Sequence, residues 1–261
     1  MARPPVAAEP MAAFPPFPPD TDAGGVAGRL AAVPFFAALS ATELAAIAPC
    51  FAYRACAAHD VLFFEGEPPH RLYVVLDGFF KQVKHADDGR DVILHIAMAG
   101  DLVGGVAAFG RRPHPFTARA MTPSAVLAVA GAAFAQIMER HPSVARRTVD
   151  DLSARLIDAH EDLKSLAVER VDRRIARHLL RLAAQAGRPV PGGTAIGMPL
   201  TRQDVADMAG TTVETAIRVL SRWRREGMVV TAGGCLVIAD RAALEAAADM
   251  TAVMAAGRPA G

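Results

Sequence analysis

The sequence predicts an α+β chain in three successive parts: a small β-barrel or sandwich, one long helix with a narrow apolar seam, and a C-terminal winged helix-turn-helix. Three patterns carry that prediction. Short strand-like runs follow one another at roughly ten-residue spacing with turn signals between most of them. Apolar residues then recur at alternating gaps of four and three from 145 to 166. Finally, TRQDVADMAGTTVETAIRVLSRWRREGM, 201–228, has the length and punctuation of two helices joined by a tight turn.

In chain order, residues 1–29 are dominated by Ala, Pro and Gly, with Phe14-Pro15-Pro16-Phe17-Pro18-Pro19 in the middle. They read as a disordered or polyproline-like arm. No apolar stretch of adequate length follows Arg3, which argues against a signal peptide. Residues 30–140 form the first predicted domain. Ser40 and Glu43 make a capping box that opens a short helix through Ile47. The strand-like runs are 61–64, 72–76, 79–84, 92–97, 118–121 and 125–129.

Residues 141–168 are the predicted dimerisation helix. Ala145, Val149, Leu152, Leu156, Ala159, Leu163 and Leu166 form an a/d seam over about three heptads, and a narrow seam of that kind wants a partner helix. A homodimer is the expectation, and it would set two recognition helices about 34 Å apart, in successive major grooves of a pseudo-palindromic site.

Residues 169–250 are the predicted DNA-binding domain, followed by a flexible tail, 251–261. Thr201 caps its first helix with Asp204 three positions on, and Gly210 sits where the chain turns through a left-handed conformation. Thr211 or Thr212 caps the second helix, whose apolar positions Val213, Ala216, Ile217, Leu220 and Trp223 define one buried face. On its other side stand Glu214, Arg218, Arg222 and Arg225. A carboxylate can accept from cytosine N4 and an arginine one turn later can grip guanine O6 and N7, with the remaining arginines, Arg202 and the hydroxyls of Thr201, Thr212 and Thr215 suited to the DNA backbone. Gly233-Gly234 between 228–230 and 235–238 signals a hairpin, the wing.

Composition fits. The 261 residues allow two modest domains, and 52% hydrophobic content argues against global disorder. Net charge is only +1, yet 169–226 holds eleven Arg against six acidic residues and no Lys, a basic footprint for phosphate. Three cysteines, Cys50, Cys56 and Cys235, are too few for a disulfide framework. The alanine-rich C-terminal stretch is broken by charges and reads as no membrane span, so a cytoplasmic, non-membrane protein is expected.

Thr211-Thr212-Val213-Glu214-Thr215, then Arg218, Leu220 and Gly227-Met228, resemble the recognition helix of the cAMP receptor protein/FNR superfamily, especially its FNR and DNR-like branches. Phe64-Glu65-Gly66-Glu67, Leu72-Tyr73-Val74-Val75 with Gly78, and Gly100-Asp101-Leu102-Val103-Gly104 are similar to the β-roll of the cyclic-nucleotide-binding fold. The resemblance spans nearly all of 30–240. It implies that Glu214 and Arg218 read bases. Ile217 departs from the usual Ser, and its side chain either touches a thymine methyl or packs inward. RNA polymerase is implied as a partner.

The same resemblance bears on the effector. Members that bind cyclic nucleotides hold the ribose with a Glu after the last roll motif and the phosphate with an Arg-Ser pair. Here those positions are Gly105 and Pro115-Phe116 or Phe116-Thr117, so cAMP is disfavoured, with Arg111, Arg112 and Arg119 as the substitutes in reach. An iron-sulfur cluster of the FNR kind needs four thiolates, so it is disfavoured too. Resemblance to DNR-type nitric-oxide regulators makes a haem-based nitric oxide sensor one reading, with His85, His95, His160 and His178 as axial candidates and the cofactor otherwise unknown. The competing class is a cyclic-nucleotide-binding-like regulatory module without a transcriptional role. No phosphate loop or nucleophile-base motif suggests an enzyme.

Overall fold

The computed structural model describes residues 23–86 and 89–248. The expectations for 1–22 and for the tail 251–261 lie outside the described residues. The segment assigned to the arm ends earlier than 29, because helix α1 (Ala23–Ala31) buries Val26 and Leu30.

The roll is two four-stranded antiparallel sheets. One runs β1 (Phe51–Cys56), β8 (Ser124–Ala130), β3 (Arg71–Asp77), β6 (Leu102–Val103); the other runs β2 (Val61–Phe63), β7 (Thr117–Ala120), β4 (Phe80–His85), β5 (Asp91–Ala97). Phe63, Phe80, Val103, Ala118 and Val126 fill the space between them. Strand β3 is buried on both faces, because Leu72 and Val74 face a second apolar cluster while Tyr73 and Val75 face the inter-sheet core. That is why it reads as a continuous apolar run rather than as an alternation. Outside the first sheet lie α1, α2 (Ala41–Ile47), the short α3 (Gly105–Gly110), α4 (Gly131–Arg140) and the start of α5 (Pro142–Val168), packed around Phe35, Phe36, Phe51 and Phe134. Ser40 and Glu43 make the reciprocal cap expected of them. β1 and α4 carry no clear signal in the sequence, being short and apolar without a distinct period.

Helix α5 holds Val144 and Thr148 at 0% and 4% exposure, but its apolar seam faces outward: Val149, Leu156, Leu163 and Leu166 are 51–66% exposed. Leu152 departs from a purely outward seam by turning partly inward, half-buried against the roll.

After α5, Glu169 and Arg170 hand the chain to α6 (Val171–Ala186) and a hairpin, β9 (Gly187–Val190) and β10 (Gly193–Ile196). Then come α7 (Arg202–Ala209), α8 (Val213–Arg225) and the wing strands β11 (Val229–Ala232) and β12 (Cys235–Ile238), followed by α9 (Arg241–Ala248). The wing belongs to a four-stranded sheet, β11-β12-β10-β9. The outer face of the second roll sheet, through Val83, Ile93 and Ile96, shares one apolar cluster with Ile175, Leu179, Val205 and Trp223. The helix-turn-helix module is thus docked on the roll.

Candidate functional site

Two places concentrate chemistry, the outer face of α8 and the interior junction of roll, α5 and α6. On α7, Thr201 accepts from the Asp204 amide at 3.0 Å and donates to the Asp204 carboxylate at 2.6 Å, which in turn accepts from the Thr201 amide. Gly210 takes a left-handed φ of 57°. Glycine is favoured there by conformation, and an added Cβ would press on the end of the Leu166 side chain at the end of α5. Thr212, not Thr211, caps α8, accepting from the Thr215 amide at 3.3 Å.

Composition gives no hint of Arg174, which is 9% exposed. It donates to the carbonyls of Ala209 at 2.9 Å, Gly210 at 3.4 Å and Glu169 at 2.8 Å. A single guanidinium thus satisfies the carboxyl end of α7 and the end of α5 together, fixing the turn against the α5–α6 junction. Glu169 itself is held by Ser165, Arg173 and Arg177.

α8 buries Ala216, Val219, Leu220 and Trp223. Ile217, read above as part of the buried face, is 44% exposed, and Val219 takes the inner position. The 100° step per residue turns position 217 to the side of Glu214 and Arg218, both exposed. Arg225 is exposed with its Nε near the Ser221 carbonyl. Arg222 leans toward Asp172 on α6, at 3.4 Å. Thr201 and Thr212 are exposed, while Arg202 and Thr215 are half-buried.

Between roll and module, Lys81 on β4 donates to Asp204 at 2.8 Å. Burial pushes the Asp204 carboxyl up, but the Lys81 and Thr201 donors outweigh it and leave the group below the usual carboxylate range. Asp207 goes the other way: burial raises it, only partly offset by the Gln203 amide.

The junction frames a partly open cavity of about 210 Å³. The roll contributes Gln82, His95 and Phe116, α5 contributes Asp151, Arg155, Asp158 and Asp162, and α6 contributes His178 and Arg181. Seam residues Leu152 and Ala159 also border it. Arg181 reaches Asp162 at 2.9 and 3.0 Å. Burial, helped by the Arg181 charge, holds His178 down at about 4, a neutral imidazole at ordinary pH. Burial likewise raises Asp101, yet the His95 and Arg155 groups beside it bring it below its ordinary value.

Of the other sequence candidates, His85 pairs with Asp91 at 2.6 Å on the surface and His160 is exposed on α5. His114, which no pattern singles out, is 3% exposed and stacked on Phe63 at 3.6 Å. Burial, with His70 nearby, lowers it to about 4. Arg111 and Arg112 are exposed, and they do not border the cavity; nor does Arg119. Cys50 is exposed, Cys56 buried and Cys235 half-buried, all free. Among the described residues, no three His, Cys, Asp or Glu gather as metal ligands, and no helix is long and apolar enough to cross a membrane.

Comparison with known proteins agrees with this architecture. A cyclic nucleotide-binding domain model matches residues 53–141 and a Crp-like helix-turn-helix domain model matches 173–247. The nitrogen fixation regulation protein FixK of Bradyrhizobium diazoefficiens is 31% identical over 194 residues, covering 72% of this chain and 78% of that protein. A CRP-like cAMP-activated global transcriptional regulator of Mycobacterium tuberculosis is 27% identical over 179 residues, covering 69% and 80%. Among solved structures, a CRP-family transcriptional regulator from Thermus thermophilus superposes with a TM-score of 0.65 at 27% identity, covering 75% of this chain and 96% of the other. The chain therefore belongs to the cAMP receptor protein/FNR family of transcription regulators.

Proposed function

We propose that this family member acts in the cytoplasm as a homodimer that binds a pseudo-palindromic DNA site and is switched by an effector at the junction of roll, α5 and α6. The observation that carries the reading is the outward stripe of α8: Glu214, Ile217 and Arg218 are exposed on a helix whose far side is anchored by Trp223 at 1% exposure. A carboxylate, a branched apolar group and a guanidinium on one rigid face fit a cytosine N4, a thymine methyl and a guanine O6/N7 edge. Thr201, Arg202, Thr212, Thr215 and Arg225 lie around that stripe and suit phosphates. Arg222, drawn to Asp172, is the weakest of the assigned backbone contacts. RNA polymerase is the expected protein partner.

The exposed seam of α5 is the dimer surface in this reading. Four large apolar side chains at heptad spacing in water are unfavourable, and pairing with a second copy removes them.

The cavity narrows the effector. A nucleotide phosphate lacks its arginine at 115–117, and a Glu side chain at Gly105 would begin 3.0 Å from Leu102 and 3.1 Å from Phe109. The cavity favours a ligand smaller than haem: about 210 Å³ is below the roughly 300–1,000 Å³ of drug-sized ligand pockets, and His178 Nδ1 is engaged by Arg181 at 2.8 Å. The iron-sulfur reading lacks its fourth thiolate, since the chain has three cysteines. A smaller polar effector is favoured.

The test is selection from a randomised duplex pool, followed by fluorescence anisotropy on the enriched site. Wild type is expected to enrich an inverted repeat, with Arg218→Ala relaxing preference at one position per half-site. Failure to enrich any sequence would favour a regulatory module without a transcriptional role.

A further inference from the structure

The junction cavity has a particular polarity. Five of the seven buried side-chain nitrogen and oxygen atoms without a hydrogen-bond partner among the described residues belong to groups that line it: Gln82 Nε2, His95 Nε2, Asp151 Oδ2, and Arg155 Nε and Nη2. Gln82 is only 4% exposed and lines this pocket. Four of these five have charged neighbours without an aligned hydrogen bond, since Asp151 Oδ2 and Arg155 Nε lie 3.0 Å apart and Asp101 lies 3.6 Å from His95 Nε2 and 3.7 Å from Arg155 Nη2. Buried polar atoms are satisfied in more than nine cases in ten, and this concentration at one pocket marks a place where a further molecule can complete the hydrogen bonds.

The charges say which molecule. Arg181 and Asp162 neutralise each other at 2.9 Å. Arg155 lies 3.0 Å from Asp151 and neutralises it by proximity, although its Nε and Nη2 hydrogens are not aligned on any acceptor. Asp158, one turn from Arg155 on the same helix face, has no ion-pair partner among the described residues and leaves the cavity with one net negative charge. A bare anion would meet that charge unfavourably, and a bare cation would leave the Gln82 and Arg155 donors unused.

We propose that the cavity binds a small zwitterion of amino-acid size, its carboxylate accepting from Gln82 and Arg155 and its ammonium donating to Asp158, with Asp151 as a second acceptor. The size is set by the 210 Å³ available. On the module side the lining mixes apolar Leu182 and Met208 with polar His178 and Gln185, which suits a short uncharged side chain. The ligand would touch the roll, the dimer helix and the DNA-binding module at once. Its control of DNA binding rests on the effector-switched reading above, whereas its binding does not.

Isothermal titration calorimetry on the full chain without DNA tests the assignment. The probes are glycine, L-alanine, L-valine, L-serine, L-glutamine and L-glutamate, with propionate, succinate and inorganic phosphate as probes lacking the ammonium and ethylamine as one lacking the carboxylate. The expected result is saturable binding of at least one amino acid at one per chain. Its des-amino and decarboxylated analogues should bind at least tenfold more weakly. Asp158→Asn and Gln82→Leu should each weaken binding at least tenfold, with thermal unfolding showing that both variants fold. Absence of saturable binding by every amino acid would overturn the assignment. So would equal or tighter binding of succinate or phosphate, or amino-acid affinity unchanged in both folded variants. None of these outcomes touches the DNA-binding reading, which the Arg218→Ala measurement decides separately.

Discussion

Helices α5 and α8 are built inside out relative to each other. α8 buries its apolar side, Ala216, Val219, Leu220 and Trp223, and turns Glu214, Arg218 and Arg225 to solvent. α5 turns Val149, Leu156, Leu163 and Leu166 to solvent and keeps Thr148, Asp151, Arg155, Asp158 and Asp162 toward its own chain. A charged outer face is stable in water by itself and needs no partner to fold, so its chemistry is available for recognition. An apolar outer face is a cost that a partner removes, while the polar inner face must be satisfied by neighbours or by a ligand. Placement of charge therefore separates the proposed reading surface from the proposed assembly surface more clearly than hydrophobic content does.

The largest expected effect comes from reversing the α5 pattern. Leu156→Glu with Leu163→Glu would place like charges in every copy of the seam. The doubly substituted protein should sediment as a monomer and lose at least a hundredfold in DNA affinity. A dimer that survives this change would move the assembly surface elsewhere.

Next is the link between the two helices. Arg174→Met removes a buried guanidinium from three carbonyls, and urea unfolding should show a loss of about 2–4 kcal/mol, since hydrogen bonds to charged groups contribute about 1.5–3 kcal/mol each and do not add fully. An unchanged midpoint would mean the turn is held without it.

The buried histidine of the roll gives a pH signature. His114 is lowered from 6.5 to about 4, so between those values the unfolded chain binds the extra proton. Stability should fall as pH drops from 6.5 toward 4, by up to about 1.4 kcal/mol per unit, and be insensitive to this group above 6.5. His114→Leu should remove its share of that slope and leave the share of His178, which is also held at about 4; an unaltered slope would assign it to other groups.

The smallest effect is at α8. Arg218→Ala should cost about 1–3 kcal/mol of DNA affinity with relaxed preference at one base and unchanged folding. A uniform loss across all sequences would make Arg218 a phosphate contact.

The helix-turn-helix is legible in the sequence because its signals are local: Thr201, Asp204, Gly210, Thr212 and Gly227 punctuate fewer than thirty residues, and each does what its type predicts. Ile217 is misplaced by periodicity because it neighbours true core positions, and only Val219 packing inward shows that the buried stripe runs one step over. The basic count of this region also overstates its free charge, since Arg173, Arg174, Arg177, Arg181 and Arg222 are spent on Glu169, carbonyls, Asp162 and Asp172. The cavity is not legible at all. Gln82, Arg155 and His178 meet there from three units far apart in the chain, and no spacing rule links them.

The most direct measurement is the sedimentation mass of the full chain, free and on one duplex of its selected site. Two chains of 27.4 kDa in solution and two per duplex, on half-sites about one helical turn apart, are predicted. A monomer in solution that binds a single half-site alone would contradict the account of α5 and, with it, the paired placement of α8.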